Sequence, residues 1–555
     1  MIRLFETNRI RQVRELDGVW DFAVCSASGG KGKEFRLAVP GSWEMNPALC
    51  NYRGKGVYER EIVLERETNL RFNFYGVSHT ADIYFDGNLV GHHYNAYTRF
   101  DVVIPHASAG THRLAVEVTN AFGPESALHV VNDYYNYGGI TRPVALELLP
   151  DVYIDLLQFM PRLEGGNWKA SVRATLKNLA GAPWRGAFSL GVAGKNLTFS
   201  VTLNPGENMV EKELAFDGVD PWSAEHPKLY ALEATLLEQG KPVDDLIDRV
   251  AFRQVQVSGR DLLVNGSKVR LHGFNRHEDH PMFGCAIPVP LMVQDLELIR
   301  ATGANTIRTS HYPNDARFLD LCDEMGFYVW EESHARGMSE ERMKNPNFVQ
   351  QSQECINDMV RDHFNHPSIV LWGILNEGAS GSPYGRTHYE MQFKQLKELD
   401  PSRPRTFASC CYFKDMCLDL VDVVSFNIYP LWYFDEEPGP YLAQIREWIE
   451  GAGGAGKPFI ISEIGAGAIY GYRTPLKVKW SEERQAEILD AVMSAYLPLE
   501  DLTGFIIWQF CDCRIHEEDN RFNTRPKTQN NKGIVDVYRR PKLAYDVVRK
   551  HFSKS

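Results

Sequence analysis

The rhythm of hydrophobic and polar positions divides this chain into three stretches. Over residues 1–150, short β-prone runs follow one another: GVWDFAV (18–24), REIVLE (60–65), RFNFYGV (71–77), ADIYFDGNLVG (81–91), FDVVI (100–104) and HRLAVEV (112–118). Asp86-Gly87 and Ala109-Gly110 supply turn chemistry between them. Strands at this spacing predict a β-sandwich. Residues 151–256 repeat the style in VYIDLLQFM, KASVRATLKNL, AFSLGVA, YALEATLLEQ and DRVAFRQVQV, punctuated by Pro161, Pro205, Pro221 and Pro227. They predict a second, smaller sandwich of Ig-like size. No low-complexity linker separates the two, so they are expected to pack together.

From residue 257 to 555 the pattern changes. Eight short apolar runs now alternate mostly with helical stretches such as VPLMVQDLELIRATG and QSQECINDMVRDHFN. The runs are VRLHGFN (269–275), NTIRTS (305–310), FYVWEE (327–332), VLWGILNE (370–377), RTFAS (405–409), VDVVSFN (421–427), PFIISEIG (458–465) and TGFIIWQF (503–510). A (β/α)8 TIM barrel is the economical solution, and it gathers functional residues at the C-terminal ends of its strands.

Composition narrows the class. The chain has 555 residues, 44% hydrophobic and 24% charged, as in soluble multi-domain proteins and unlike disordered or collagenous chains. No run of about 18 apolar residues predicts a membrane span. The formal net charge is -12 and no Lys/Arg block appears, which argues against a nucleic-acid partner. An anionic small molecule would need a locally basic pocket against that background. The N-terminal MIRLFETNRIRQVRELDG has no apolar h-region or small-residue cleavage site, so a cytoplasmic location is expected. Ten cysteines, with Cys410-Cys411 and Cys511-x-Cys513 but no CxxC pair, read as reduced thiols rather than a metal or redox centre.

Four barrel strands end in polar residues that a buried strand does not need. The fourth ends Asn376-Glu377, and the seventh carries Glu463. The second runs into Arg308, Ser310 and His311; the first ends Asn275, His277, Glu278 and Asp279. Two carboxylates on separate strand ends suggest glycoside hydrolysis, one protonating the leaving oxygen and the other attacking the anomeric carbon. The acid needs a raised pKa, helped by its negative neighbour and by partial burial. Either glutamate alone reads equally well as a loop-start cap or ion-pair partner.

NTIRTSHYPNDARFLDLCDEMGFYVW (305–330) and DHFNHPSIVLWGILNE (362–377) resemble the two long signatures of glycoside hydrolase family 2. The resemblance covers the whole chain and implies a jelly-roll sugar-binding-type domain, an Ig-like domain and a barrel. It implies Glu377 as acid/base, Glu463 in ISEIGAG (461–467) as nucleophile, and Asn376 as a hydrogen-bond partner of the sugar 2-hydroxyl. Within the family, TQNNKGIVDVYRRPK (528–542) is similar to the segment with which β-glucuronidases hold a uronate. A C6 carboxylate needs a cation and a donor, here Lys532 and Asn530. N-N-K-G is otherwise ordinary turn chemistry.

Further positions follow from the same resemblance. Asp133 would reach the sugar from the jelly roll. Tyr429 and Tyr433 lie where a tyrosine positions the nucleophile, with Tyr429 favoured. His311 would border the sugar, and Trp508 would form an apolar platform or pack the barrel core. His277 would border the sugar too, or serve core or supporting packing. Pro526 stands where bacterial β-glucuronidases have a carboxylate-binding arginine, flanked by Arg525 and Lys527. Arg336 could replace that cation, read an axial 4-hydroxyl, or form a surface salt bridge. The short stretch between Arg336 and Asp362 implies an open mouth.

The expectation is a retaining exo-β-D-hexuronidase acting on small-molecule β-D-glucuronides, without metal or organic cofactor. A β-galacturonidase, a β-galactosidase and a non-catalytic carbohydrate-binding protein are the alternatives. The resemblance also implies a homo-oligomer, tetramer or dimer.

Overall fold

The computed structural model describes residues 2–25, 30–517 and 525–554. The N-terminal sandwich packs a six-stranded sheet, ordered 31–39, 18–25, 55–64, 110–119, 80–85, 88–94, on a four-stranded sheet, ordered 12–15, 144–149, 68–74, 100–107. Alternation drives it: in Lys55–Leu64 the buried residues are Gly56, Tyr58, Ile62 and Leu64, all on one face. They join Trp20, Phe72, Ile83 and Val116 in one core. Three further strands complete these sheets: Gln12–Glu15, Lys31–Val39 and the apolar run Val144–Leu149. Charged residues interrupt the first two, which weakens their apolar signature.

The second sandwich has three strands (152–164, 167–178, 206–216) facing four (195–203, 184–192, 230–238, 241–250) around Trp168, Leu190, Leu232 and Phe252. Arg11 locks the two sandwiches together. Its guanidinium bonds Asp244 (2.7 Å) in the second and Glu147 (2.8 Å) in the first.

The barrel strands are β1 (Leu271–Asn275), β2 (Thr306–Thr309), β3 (Tyr328–Glu332), β4 (Ile369–Gly373), β5 (Arg405–Thr406 and Ala408–Ser409), β6 (Val424–Asn427), β7 (Phe459–Ile464) and β8 (Gly504–Ile507). All pairings are parallel, in the order β5-β4-β3-β2-β1-β8-β7-β6-β5, with β5 interrupted at Phe407. Covered on both faces, the strands read as unbroken apolar runs. The fourth strand is shorter than its apolar run. It ends at Gly373, and Leu375 and Glu377 take φ of 46° and 51°. Asn376-Glu377 therefore sits in a tight loop beyond the strand. No helix among the described residues is long and apolar enough to cross a membrane.

The jelly roll covers part of the barrel mouth. Arg142 crosses the boundary to Glu278 (2.9 Å) and the Pro313 carbonyl (2.7 Å), and Tyr97 stacks on Tyr312 at 3.8 Å. Tyr137 donates to Asp279 (3.0 Å). Glu278 and Asp279 therefore serve the domain boundary instead of facing the mouth with the other strand-end residues. Arg142→Met leaves Glu278 buried without its cation, and urea denaturation should show a loss of about 3–5 kcal/mol. Adding Glu278→Gln should recover part of it.

Candidate active site

The site is built around one guanidinium. Arg308, at the end of β2, is fully buried and lies over Trp330 at 4.7 Å. Its Nε and Nη2 donate to Glu332 Oε2 on β3 (3.0 and 2.7 Å). Its Nη1 donates to Asn275 Oδ1 on β1 (2.8 Å) and to Glu463 Oε1 on β7 (3.0 Å). Its Nη2 also reaches Asn376 Oδ1 (2.8 Å). A planar fork with five N–H groups suits this task, which a lysine could not perform.

Glu463 is 3% exposed, and Tyr429 donates to its Oε2 at 2.8 Å. Tyr433 does not; its hydroxyl faces Arg525 (3.3 Å) and Lys532. Burial and the negative charge of Glu377 push Glu463 up to about 7, against the pull of Arg308, the Tyr429 hydroxyl and Arg336. Glu377 opens more to solvent. Its Oε1 accepts from Asn427 (3.0 Å) and its Oε2 from Arg336 (3.3 Å), while its N–H is held by the Ala408 carbonyl (2.9 Å). Asn376 Nδ2 is buried with no hydrogen-bond partner among the described residues, which leaves a donor for a ligand.

His311 is held by Glu332 (3.0 Å) and stacks on Trp508 at 4.9 Å. Burial, then Arg308 and Arg336, drive its pKa well below the usual value, so it is neutral. Trp508 is buried at the floor, with one face on His311 and its ring edge-on to His277 at 5.4 Å. His277 bonds the Tyr312 hydroxyl (3.1 Å).

A second charged group lies where the jelly roll meets the mouth. Asp133 faces Arg336 (3.2 Å), Arg525 (3.2 Å) and Asn530 Nδ2 (3.2 Å). Burial opposes its ionisation, yet Arg336, Arg525 and Lys532 hold its pKa below the usual range. Arg336 also bonds Asn132 (3.1 Å) and so joins the jelly roll to Glu377, which a surface salt bridge would not do. Lys532 is 2% exposed and has no carboxylate within 4.0 Å among the described residues. Its ammonium lies 5.2 Å from the Tyr433 ring, and burial, reinforced by Arg525, lowers its pKa.

Three residues here escaped the sequence reading. Glu332 and Asn427 end apolar strands and carried the same strand-end signal as Glu463. Arg525 was visible only as a neighbour of Pro526, and the 3-10 turn Pro526–Thr528 leaves it on the Asp133 side. Lys527, the other flank, is exposed. One buried trio among the described residues, Asp320, Asp323 and His366, has metal-ligand spacing. Arg3 (2.7 Å) and Arg249 (3.4 Å) already neutralise Asp320, so those donors are committed.

Residues 255–555 match the TIM barrel domain model of glycosyl hydrolases family 2, residues 13–150 its sugar binding domain, and residues 152–253 the model named for the family itself. The chain belongs to glycosyl hydrolase family 2. It is a glycoside hydrolase, as the two signatures implied. A crystal structure of a β-galacturonidase from Eisenbergiella tayi bound to galacturonate is 48% identical, with a TM-score of 0.97, covering 100% of this chain and 99% of that one. A β-glucuronidase of Bifidobacterium dentium, complexed with coumarin-3-O-glucuronide, is 26% identical with a TM-score of 0.87 over 99% and 98%. Human β-glucuronidase is 29% identical over 98% of this chain and 91% of its own length.

The Tyr429 hydroxyl favours the ionised form of Glu463. In Tyr429→Phe the acid limb of kcat/KM, expected near pH 7 for this family 2 hydrolase, should move up by about half a unit to one unit. A pH series on an aryl glycoside reads it, and an unmoved limb would show that Glu463 does not govern it.

Proposed function

We propose that the protein is a retaining exo-β-D-hexuronidase. The observation that carries this reading is Lys532: a buried cation without a carboxylate partner among the described residues, beside Arg525, Asn530 and Tyr433. In a chain of net charge -12, such a cation calls for an anionic ligand group. The C6 carboxylate of a uronic acid meets it, and a neutral hexose would leave it unpaired.

In this reading Glu377 protonates the glycosidic oxygen while Glu463 attacks the anomeric carbon. The C–O bond to the leaving group breaks and an ester to Glu463 forms. Glu377, now ionised, takes a proton from water, whose oxygen attacks the same carbon and releases the sugar and the Glu463 carboxylate. Arg308 and Tyr429 orient Glu463 and stabilise its charge as it leaves. Asn376 Nδ2 would donate to the 2-hydroxyl, a contact that strengthens in the transition state.

β-D-Glucuronides and β-D-galacturonides differ only at C4, and both satisfy the carboxylate requirement. Two observations favour the galacturonide as a second reading. Arg336 is fixed between Asp133 and Glu377, at the junction of the jelly roll and the mouth. The 48% identity to a β-galacturonidase also exceeds the 29% to human β-glucuronidase.

Initial rates on matched aryl β-D-glucuronide, β-D-galacturonide and β-D-galactoside test the reading. A uronide should be preferred, and Lys532→Ala should lower its kcat/KM by about 100-fold or more while barely affecting the galactoside. The epimer ratio decides between the two uronides. A preference for the galactoside, or an unchanged Lys532→Ala, would reduce Asn530-x-Lys532 to a turn. Glu463→Gln and Glu377→Gln should each remove most turnover, and full activity in both would end the catalytic assignment.

A further inference from the structure

Cys410 and Cys411 follow directly from the C-terminal end of β5, on the barrel face that bears the site. The proposed hydrolysis uses neither thiol. Cys410 is exposed and Cys411 partly so, and they are the only adjacent cysteines in the sequence. Cys511 and Cys513, the nearest comparable pair, are both buried.

The two thiols are neighbours in the chain and act on each other electrostatically. Ser380 and the Gly381 N–H also face Cys411. Its Sγ lies 4.0 Å from the carbonyl of Gly378, the residue after Glu377. Glu377 itself is pinned to this strand by its bond to the Ala408 carbonyl (2.9 Å), and the charges of Glu377 and Arg336 act on Cys410. Tyr412, the next residue, donates to the Asn427 carbonyl, and the Asn427 amide holds Glu377. The thiol pair and the carboxyl assigned to the leaving group therefore share one wall of the mouth.

Two sulfurs on adjacent residues, one of them reachable from solvent, offer a chelate for a soft electrophile. Thiolates select soft centres over hard ones, and two on one scaffold bind far more tightly than one because the second bond is intramolecular. Cys410 and the other donors around Cys411 pull its thiol below the usual range, against the effect of burial, which favours the reactive thiolate.

We propose that Cys410 and Cys411 form a dithiol binding site for trivalent arsenicals, whose occupation closes the Glu377 side of the mouth and stops hydrolysis. With phenylarsine oxide, two As–S bonds form and the As–O bond breaks. The two protons released by the thiols leave with that oxygen as water, and arsenic stays trivalent. Loss of rate rests on the role proposed for Glu377; binding itself does not.

The test treats the full chain with phenylarsine oxide and follows intact mass and aryl-uronide hydrolysis together. One adduct per chain is expected, with a fall in rate of about tenfold or more in step with it. Dimercaptopropanol should reverse both, and an equal concentration of mercaptoethanol should not. Cys410→Ser and Cys411→Ser should turn over normally, carry no adduct and keep their rate in the reagent. An adduct that persists in both variants, an unmodified wild-type chain, or a pair-bound adduct with unchanged rate would each overturn the proposal. If the chain proved inactive on uronides, the adduct and its loss in the serine variants would still report the site. Failure of the uronidase reading is thus separable from failure of this one.

Discussion

The mouth of this barrel depends on the buried Arg308 guanidinium and the acceptors it holds. One side chain on β2 reaches β1, β3, β7 and the loop after β4, so it sets the relative positions of Asn275, Glu332, Glu463 and Asn376. Carboxylates this deeply buried persist as charges only when paired and hydrogen-bonded. An apolar residue at 308 would leave Glu332 and Glu463 without their shared cation. The strands below it supply the ordinary apolar core, through Phe274, Ile307, Val329, Ile369 and Ile461. The top of the barrel is held by charge balance.

That balance extends beyond Arg308. Among the described residues, Arg308, Arg336 and Arg525 pair with Glu332, Glu377, Glu463 and Asp133, and Lys532 adds a fourth positive charge beside Tyr433. A bound uronate would add one negative charge. Like charges crowded in a low-dielectric site raise one another's proton affinity. In the proposed mechanism, the substrate that satisfies Lys532 would thereby favour retention of a proton by the glutamate pair. Uronate recognition and acid catalysis would then be one electrostatic event, and a neutral sugar would engage neither part fully.

Much of this was legible in the sequence because the barrel's strand-end rule converts chain position into spatial position. Asn376, Glu377 and Glu463 stood out as polar residues attached to apolar runs, and the family signatures tied them together. The limits were equally physical. An apolar run does not reveal where a strand stops: Leu375 and Glu377 lie inside the run, yet stand at positive φ beyond the strand. Glu278 and Asp279 looked like mouth residues because periodicity along β1 cannot show that a second domain claims them through Arg142 and Tyr137. Motif spacing points to Pro526, whereas the placement of Arg525 depends on a turn and on Asp133, 392 residues away.

The jelly roll's part in the site follows from the same charges. Asp133 is the common partner of Arg336, which touches Glu377, and of Arg525 and Asn530, which stand beside Lys532. Without it, three cationic side chains would crowd together with less negative charge between them, and their mutual repulsion would spread them. The barrel supplies the two glutamates, but a carboxylate from another domain keeps the cationic pocket at its rim compact. In the proposed reading, selectivity for a uronate is therefore a property of the packed domains together, and weakening their interface would erode selectivity before it removed either glutamate.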